Sequence, residues 1–228
     1  MIMTKKLLIT GISFLILYIF IAVSVMTASV WVNHLDLYFI EAIQSTVTDS
    51  RAAVILVMTE IGGTEAIVVL TLIVTVSLFI KKMYTAALWF GLTISLSPGV
   101  LVHLMKPVIG RERPEFLRLA AESTYSFPSG HSTASTVFYG MLGLILILSV
   151  QKLWKKIIIA FITVTIILFV MASRIYLGVH FPTDVLAGFS FGAATVLLSL
   201  SLYHLALPKF SQWLRSKDIT DKSLSLFQ

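Results

Sequence analysis

The sequence contains no cysteine and little charge. Without cysteine, the chain can form no disulfide, use no thiolate as a nucleophile and build no metal site from cysteine ligands. Charged residues make up only 12% of the 228 residues, whereas a soluble domain carries about 25%. Hydrophobic residues make up 57%. This composition excludes an ordinary soluble domain and predicts a single integral-membrane domain over residues 1–228.

Six apolar runs predict six membrane-spanning helices, because a spanning helix needs about 20 apolar residues. The first run has 22 residues. A signal peptide has an apolar core of only about 7–15 residues, so we expect a retained helix. Pro98 and Gly99 predict a kink in the third run, because proline removes a backbone donor. The predicted spans are residues 7–28, 61–80, 83–108, 130–150, 157–172 and 185–207.

The segments outside these runs complete the predicted fold. Residues 31–51 mix polar and apolar side chains as an interfacial helix does, and residues 52–61 are too few to span a bilayer. The expected fold is an all-α polytopic membrane bundle of six transmembrane helices, with a short interfacial or re-entrant helical segment between helices 1 and 2. The polar tail, about 209–228, is expected to be disordered or peripheral.

The fifth apolar run is unusually short, with 16 residues. At about 1.5 Å per residue, a helix of that length does not cross the hydrocarbon core. The shortness predicts that Ser173 and Arg174, which follow the run, are drawn towards the lipid boundary.

The distribution of basic residues predicts the orientation. Six spans put both termini on one side, together with 11 basic residues and two acidic ones. The positive-inside rule makes this the cytoplasmic side of the cell membrane. The excess of basic residues on the cytoplasmic side also explains the net charge of +6, so no nucleic-acid partner is predicted. No obligate protein partner is predicted either. The basic residues that oppose the bias suggest an anionic ligand outside: Lys106, Arg111, Arg113, Arg118 and Arg174.

Three polar segments, 106–114, 126–131 and 173–184, are predicted to meet at the extracytoplasmic face of the bundle. Lys106, Arg113 and Arg174 supply positive charge and forked donors that suit the oxygens of a phosphate. Ser129 is a good N-cap for the fourth span, whose free N–H groups favour an anion. Gly130 allows the backbone to approach a ligand closely. These features predict a phosphate-binding site.

The same segments contain candidates for nucleophile and acid. Asp184 follows His180 by four residues, close enough to bond one ring nitrogen and increase the basicity of the other. His180 is therefore the expected nucleophile, forming a phosphohistidine, and His131 can protonate the leaving oxygen. Phosphoryl transfer depends mainly on positioning and charge stabilisation. We expect the basic residues to replace a metal, so no cofactor is predicted.

The motifs KxxxxxxRP at 106–114, PSGH at 128–131 and SRxxxxxHxxxD at 173–184 resemble the three-part signature of the type 2 phosphatidic acid phosphatase superfamily. Size and layout look most like the bacterial type B phosphatidylglycerophosphatases and the related undecaprenyl pyrophosphate phosphatases. The resemblance implies a membrane lipid phosphatase with His180 as nucleophile, Asp184 as its partner and His131 as acid. It implies that the phosphate is bound by Lys106, Arg113, Ser129, Gly130 and Arg174.

Two other functions share parts of this pattern. A transporter of anionic lipids could use the basic cluster for binding alone, although such sites usually lie near the bilayer midplane. A phosphotransferase would share the first half-reaction and pass the phosphoryl group to another lipid. The substrate is left open among phosphatidylglycerol phosphate, undecaprenyl pyrophosphate, phosphatidic acid and related lipids. The remaining charged residues of the long loop are expected to form a solvated surface: Arg111, Glu112, Glu115, Arg118 and Glu122.

Overall fold

The structure, a computed structural model, describes residues 2–115 and 117–223, and the regular secondary structure within them is helical. The helices in chain order are α1 Ile2–Met26, α2 Val30–Gln44, α3 Asp49–Met58, α4 Thr64–Ile80, α5 Tyr84–Leu96, α6 Val102–Ile109, α7 Gly130–Ser149, α8 Leu153–Tyr176 and α9 Pro182–Arg215. A 3-10 turn at Thr59–Gly62 links α3 to α4, and a π-helical turn at Ser97–Leu101 links α5 to α6.

Six segments of the described chain are long and apolar enough to cross a membrane. They confirm the prediction of an all-α bundle with six spans, and α2 is the short helical segment between the first two. The second segment includes α3, which extends it beyond the predicted start at residue 61. The six segments are Thr4–Met26, Asp49–Ile80, Tyr84–Ile109, Gly130–Ser149, Leu153–Tyr176 and Pro182–Arg215.

Helix α9 lies at the centre of the bundle, with α1 packed along one side and α7 along another. Gly188 permits the close approach of α7, because a Cβ atom there would lie 2.7 Å from the carbonyl oxygen of Ser129. The backbone N–H of Ser129 donates to the carbonyl of Asp184 at 3.1 Å. The N-termini of α7 and α9 are thereby fixed beside each other at one end of the bundle.

The third span is interrupted where the sequence predicts a kink. The π-helical turn at Ser97–Leu101 contains Pro98, which has no N–H for the regular ladder. The span resumes as α6 and ends at Gly110, which adopts the left-handed conformation with φ +65°. The interruption lies on the wall of a cavity that reaches the N-termini of α7 and α9.

The expectation of a short fifth span is wrong. Helix α8 has 24 residues, or about 36 Å at 1.5 Å per residue, and therefore exceeds the hydrocarbon thickness. It continues at both ends beyond the apolar run, since Lys155 and Lys156 form its first turn, and Ser173 and Arg174 belong to its last turns. Both of these last two side chains are buried against the protein. The position of Arg174 is thus set by packing and not by a short helix.

The tail differs from the expectation over much of its length. Residues 209–215 continue α9, and Asp221 is only 6% exposed. Its carboxylate accepts from the hydroxyl of Thr85 at 2.5 Å, and the Ser223 hydroxyl accepts from the backbone N–H of Ala86 at 3.0 Å. The first N–H groups of a helix need acceptors, and the tail supplies them at the start of α5. Residues 224–228 lie outside the described residues.

Candidate functional site

A cavity of about 380 Å³ runs between α4 and the α5–α6 span and ends at the N-terminus of α7. Its inner end is lined by Lys106, Arg113, Gly130, His131 and His180, which come from all three polar segments of the sequence. The structure therefore brings these predicted residues together, at the end of the bundle opposite the C-terminal tail.

The turn between α8 and α9 places His180. Gly178 adopts φ +65°, and a Cβ atom there would collide with the carbonyl of Leu117. His180 is 2% exposed; its Nδ1 lies 3.5 Å from Asp184 Oδ2, and its Nε2 lies 3.4 Å from Arg113 Nη1. Burial lowers the pKa of His180 to about 4, although Asp184 opposes the shift. The ring is therefore neutral near pH 7, with Nε2 towards the cationic residues.

Asp184 lies in the first turn of α9 and is fully buried. Its Oδ2 accepts from the backbone N–H of Phe181 at 2.9 Å and from the hydroxyl of Ser126. Its Oδ1 accepts from Arg111 Nη1 at 2.6 Å. Both oxygens accept from donors of the protein, so the carboxylate is held in one orientation towards His180.

Lys106 and Arg113 are both fixed by the loop that precedes α7. Lys106 Nζ donates to the Thr124 hydroxyl at 2.8 Å and to the carbonyl of Tyr125 at 2.7 Å. Arg113 Nε donates to the carbonyl of Thr124 at 2.7 Å, and its Nη1 donates to the carbonyl of Val179 at 2.8 Å. These bonds hold two positive charges beside His180 before any ligand is bound.

Two buried nitrogens of the cluster have no hydrogen-bond partner within residues 2–115 and 117–223. They are Nε of Arg174 and Nε2 of His131, and the nearest carboxylate to the latter is Glu60, at 3.9 Å. Unpaired buried polar atoms are rare in folded proteins and call for an explanation. A bound anion would supply acceptors for both.

The start of α7 has the predicted N-cap. The Ser129 hydroxyl accepts from the backbone N–H of Ser132 at 3.4 Å and from its hydroxyl at 2.9 Å. At Gly130, a Cβ atom would meet nothing within 4 Å. The open space lies at the helix end, where the dipole favours an anion.

Sequence reasoning missed four residues of the cluster, namely Asp36, Arg111, Glu122 and Ser126. Arg111 and Glu122 were expected on a solvated loop surface, and that expectation is wrong because both form ion pairs with predicted site residues. Asp36 could have been predicted from the sequence. It is a carboxylate within an apolar helical stretch, and such a residue is rarely buried without a partner. The eight residues predicted for the site all lie in or beside the cluster, and their individual roles stay predictions.

Arg111 joins α2 to the start of α9. Its Nη2 contacts Asp36 Oδ2 at 2.6 Å, and its Nη1 contacts Asp184 Oδ1 at 2.6 Å. Asp36, 2% exposed, also accepts from the backbone N–H of Thr183 at 2.8 Å. Burial alone would lower the pKa of Arg111, but the two carboxylates raise it above its ordinary value. The guanidinium therefore remains charged and orients Asp184.

We expect Asp36→Ala to reduce both stability and turnover. Removing one partner of a buried ion pair leaves the other charge uncompensated, which costs about 3 kcal/mol. The kcat should fall by about tenfold or more while KM stays nearly unchanged, because small misplacements of catalytic groups slow the chemistry. Thermal unfolding and steady-state kinetics measure the two effects. Glu41→Ala, on the exposed face of the same helix, is the matched control, and equal effects of both variants would contradict the assignment.

Comparison with known proteins places this arrangement in a family. Residues 86–207, more than half of the chain, match the model of the PAP2 superfamily. The chain belongs to the PAP2 superfamily. The matched region begins in α5 and ends in α9, so it contains all three motifs and the whole of the cationic cluster apart from its link to α2.

Three curated relatives are similar over part of the chain. Phosphatidylglycerophosphatase B of Bacillus subtilis is 37% identical over 139 residues, which cover 59% of this chain and 66% of that protein. Lipid A 1-phosphatases of Rhizobium johnstonii and Rhizobium etli are 34% and 33% identical, over 46% and 50% of this chain. The chain spans 43% and 51% of those two proteins, so their activities bear on this chain only as a proposal.

Two solved structures share the fold. The first transmembrane PAP2 type phosphatidylglycerolphosphate phosphatase from Bacillus subtilis superposes with a TM-score of 0.75 at 29% identity, covering 86% of this chain and 96% of that one. Aquifex aeolicus LpxE superposes with a TM-score of 0.56 at 24% identity, covering 73% of this chain and 94% of that one. The second likeness concerns the fold alone.

Proposed function

We propose that the protein is a membrane lipid phosphatase that removes a terminal phosphate from a lipid phosphate or pyrophosphate through a phosphohistidine. The observation that carries this proposal is the cavity of about 380 Å³. Its inner end holds cationic and imidazole side chains, while its walls are apolar. A ligand that fills it must combine an anionic group with an apolar chain, and a lipid phosphate has both.

The apolar part of the cavity reaches the outer surface of the bundle. Val68 and Leu72 of α4 line it and are 52% and 60% exposed. On the opposite wall lie Pro98 and Gly99 of the π-helical turn, followed by Val102 of α6. A lipid tail can therefore remain between the helices, in contact with the bilayer, while the phosphate reaches the N-terminus of α7.

The proposed chemistry uses groups already in place. Nε2 of His180 attacks phosphorus, the bond to the leaving oxygen breaks, and His131 gives that oxygen a proton. Water then attacks the phosphohistidine and loses its proton to His131, and the P–N bond breaks to release phosphate and restore both rings. Arg113 and Arg174 stabilise the charge on the phosphoryl oxygens, and Asp184 stabilises the positively charged ring of His180.

The names of the relatives narrow the candidate substrates. One is a phosphatidylglycerophosphatase and two are lipid A 1-phosphatases, so phosphatidylglycerol phosphate is the first candidate. Undecaprenyl pyrophosphate, which only the resemblance of the sequence motifs suggests, is the second. In our proposal the termini lie in the cytoplasm, which the uneven distribution of basic residues favours. The site, at the other end of the bundle, then faces the extracytoplasmic side of the cell membrane.

Phosphate release by purified protein in detergent tests the function. Phosphatidylglycerol phosphate, undecaprenyl pyrophosphate and phosphatidic acid should each be offered, with His180→Ala as the control. Release without a bilayer supports an enzyme, since a transporter needs two compartments. If no lipid of the panel releases phosphate, the proposal is rejected. Transfer of the phosphoryl group to an added lipid alcohol, in place of release to water, would indicate a phosphotransferase.

Gly99→Leu should block the lipid path. A Cβ atom at Gly99 meets only the carbonyl of Ile94, at 3.7 Å, so a larger side chain can extend into the cavity without disturbing the helix. The KM for long-chain lipid phosphates should rise by about tenfold, while cleavage of a water-soluble phosphate ester is preserved. The estimate corresponds to the loss of about two buried methylene groups.

Gly91→Leu is the matched control for this variant. Gly91 lies on α5, its Cβ atom would make only ordinary contacts with Thr75, and it lines a different apolar groove. It should leave the KM for lipid phosphates unchanged. An equal rise of KM in both variants would show that the cavity beside Gly99 is not the path of the lipid tail.

Removal of divalent metals should leave activity unchanged. Lys106, Arg113 and Arg174 supply the charge that metal ions provide in other phosphoryl-transfer enzymes. Within the described residues, no three His, Asp or Glu side chains are grouped so as to hold a metal ion. Activity after treatment with EDTA measures the effect, with a metal-dependent phosphatase as the positive control. Strong inhibition that added Mg²⁺ or Zn²⁺ reverses would contradict the prediction.

A further inference from the structure

The carboxylate of Glu122 contacts two arginines of the cationic cluster, Arg113 and Arg174. Its Oε1 lies 2.5 Å from Arg174 Nη2, and its Oε2 lies 3.5 Å from Arg113 Nη2. Two oxygens of one anionic group thus bridge two guanidinium groups, as two oxygens of a bound phosphate would. Glu122 itself lies outside the three sequence motifs, in the loop between the first and the second.

The contact involves one of the two nitrogens that form the best phosphate-binding edge of Arg174. The Nε and Nη2 donors of a guanidinium lie on the same edge and form the parallel pair that binds carboxylates and phosphates. Glu122 accepts from Nη2, while Nε is buried and has no partner in the described part of the chain. A phosphate bound at this edge therefore competes with Glu122 for Nη2.

The surroundings allow Glu122 to be displaced. The Glu122 side chain is 26% exposed, whereas that of Arg174 is 2% exposed. Glu122 lines the catalytic cavity and also an adjoining polar cavity of about 510 Å³, next to Ser123 and Arg118. The carboxylate can therefore turn outward into that polar cavity while Arg174 stays in place.

We propose that Glu122 is an internal competitor for phosphate: it pairs with the two arginines and lowers the affinity of the site for substrate phosphate and product phosphate alike. The inference rests on the proposed function of the same site. Weaker binding of phosphate would favour release of the product, which otherwise meets three buried or nearly buried cations, Lys106, Arg113 and Arg174.

Direct binding of inorganic phosphate, measured by calorimetry on the purified protein in detergent, tests this proposal. Glu122→Gln keeps the shape of the side chain but removes its charge. Loss of one charge-assisted contact that competes with the ligand should tighten phosphate binding by about tenfold. Glu112→Gln is the matched control, because Glu112 lines the same polar cavity and forms no ion pair within the described residues.

The result that would overturn the proposal is unchanged or weaker phosphate binding by Glu122→Gln, since Glu122 would then serve only to hold Arg174 in position. Undetectable phosphate binding by both proteins would overturn it as well. If the glutamine variant does not fold, Glu122→Asp replaces it: its shorter side chain cannot bridge both arginines, and we expect a smaller gain in affinity. Lipid turnover is assayed separately on the unaltered protein, so a failure of the proposed function is visible independently of phosphate binding.

Discussion

Replacing His180 by alanine is expected to abolish phosphate release from lipid substrates, with a loss of at least about 10⁴-fold in kcat. His180 is the nucleophile in our account, and the neighbouring side chains cannot replace it. Burial lowers its pKa to about 4, so the ring attacks as the neutral base at ordinary pH. Phosphate release in detergent measures the loss.

The matched control for this variant is His34→Ala, which also removes an imidazole but from the exposed face of α2. Its turnover should equal that of the unaltered protein. The His180 variant should still bind inorganic phosphate, because Lys106, Arg113 and Arg174 remain. Full turnover by His180→Ala would eliminate the proposed mechanism, and loss of both turnover and phosphate binding would indicate general damage to the site.

Replacing His131 by alanine is expected to give the second largest loss, and the loss should depend on the leaving group. General acid catalysis contributes about 10²–10⁴-fold when the leaving oxygen needs a proton. A lipid alkoxide is such a group, whereas an activated phenolate departs without one. His131 also takes the proton of the attacking water in our account, so the comparison is made at the first step, as release of the leaving group within the first turnover. His131→Ala should slow that step by this range for lipid phosphates and by much less for an activated aryl phosphate.

The lipid phosphate and the aryl phosphate serve as controls for each other when both are assayed with one preparation of the His131→Ala protein. The position of His131 supports the assignment, because its Nε2 is buried, lacks a hydrogen-bond partner among the described residues and lies on the cavity wall. An equal loss with both substrates would contradict the role of acid. In that case His131 would be left with only its second role, as the base in hydrolysis of the phosphohistidine.

Hydropathy was sufficient to predict the six spans. Inside the bilayer the backbone must form its own hydrogen bonds, so an apolar run of sufficient length is expected to be helical. Hydropathy failed at the ends of helices, where other forces decide. Helix α8 continues through Arg174 because that side chain finds an ion pair with Glu122. Past residue 209, α9 and the tail are held in place because Asp221 accepts from Thr85 at the start of α5 and from Ser211 of α9.

The motifs likewise placed the reactive residues but not their partners. Spacing of four residues is enough to predict that Asp184 lies near His180. No local pattern relates Asp36, 75 residues earlier in the chain, to Arg111, since that contact exists only after α2 packs against α9. Charged loop residues are usually solvated. Here four cationic side chains, Lys106, Arg111, Arg113 and Arg174, need carboxylate partners in or near the site, and no pattern in the sequence identifies which carboxylate serves each of them.

The charge balance of the site connects these observations. The positive side chains of Lys106, Arg111, Arg113 and Arg174 are accompanied by the carboxylates of Asp36, Asp184 and Glu122. Asp36 and Asp184 are deeply buried and bonded to Arg111, so Arg111 has little attraction left for a ligand. Glu122 is the partly exposed member. We therefore expect an incoming phosphate to exchange with Glu122 and to leave the Asp36–Arg111–Asp184 group intact.

The central claim is that the phosphoryl group passes through His180, and rapid chemical quenching tests it most directly. The purified protein is mixed with a lipid carrying a radiolabelled terminal phosphate, denatured within the first turnover and digested for mass spectrometry. We predict an acid-labile, alkali-stable phosphoryl group on His180, with none in the His180→Ala variant. Label on another residue, or single-turnover phosphate release at the unaltered rate by that variant, would contradict the account.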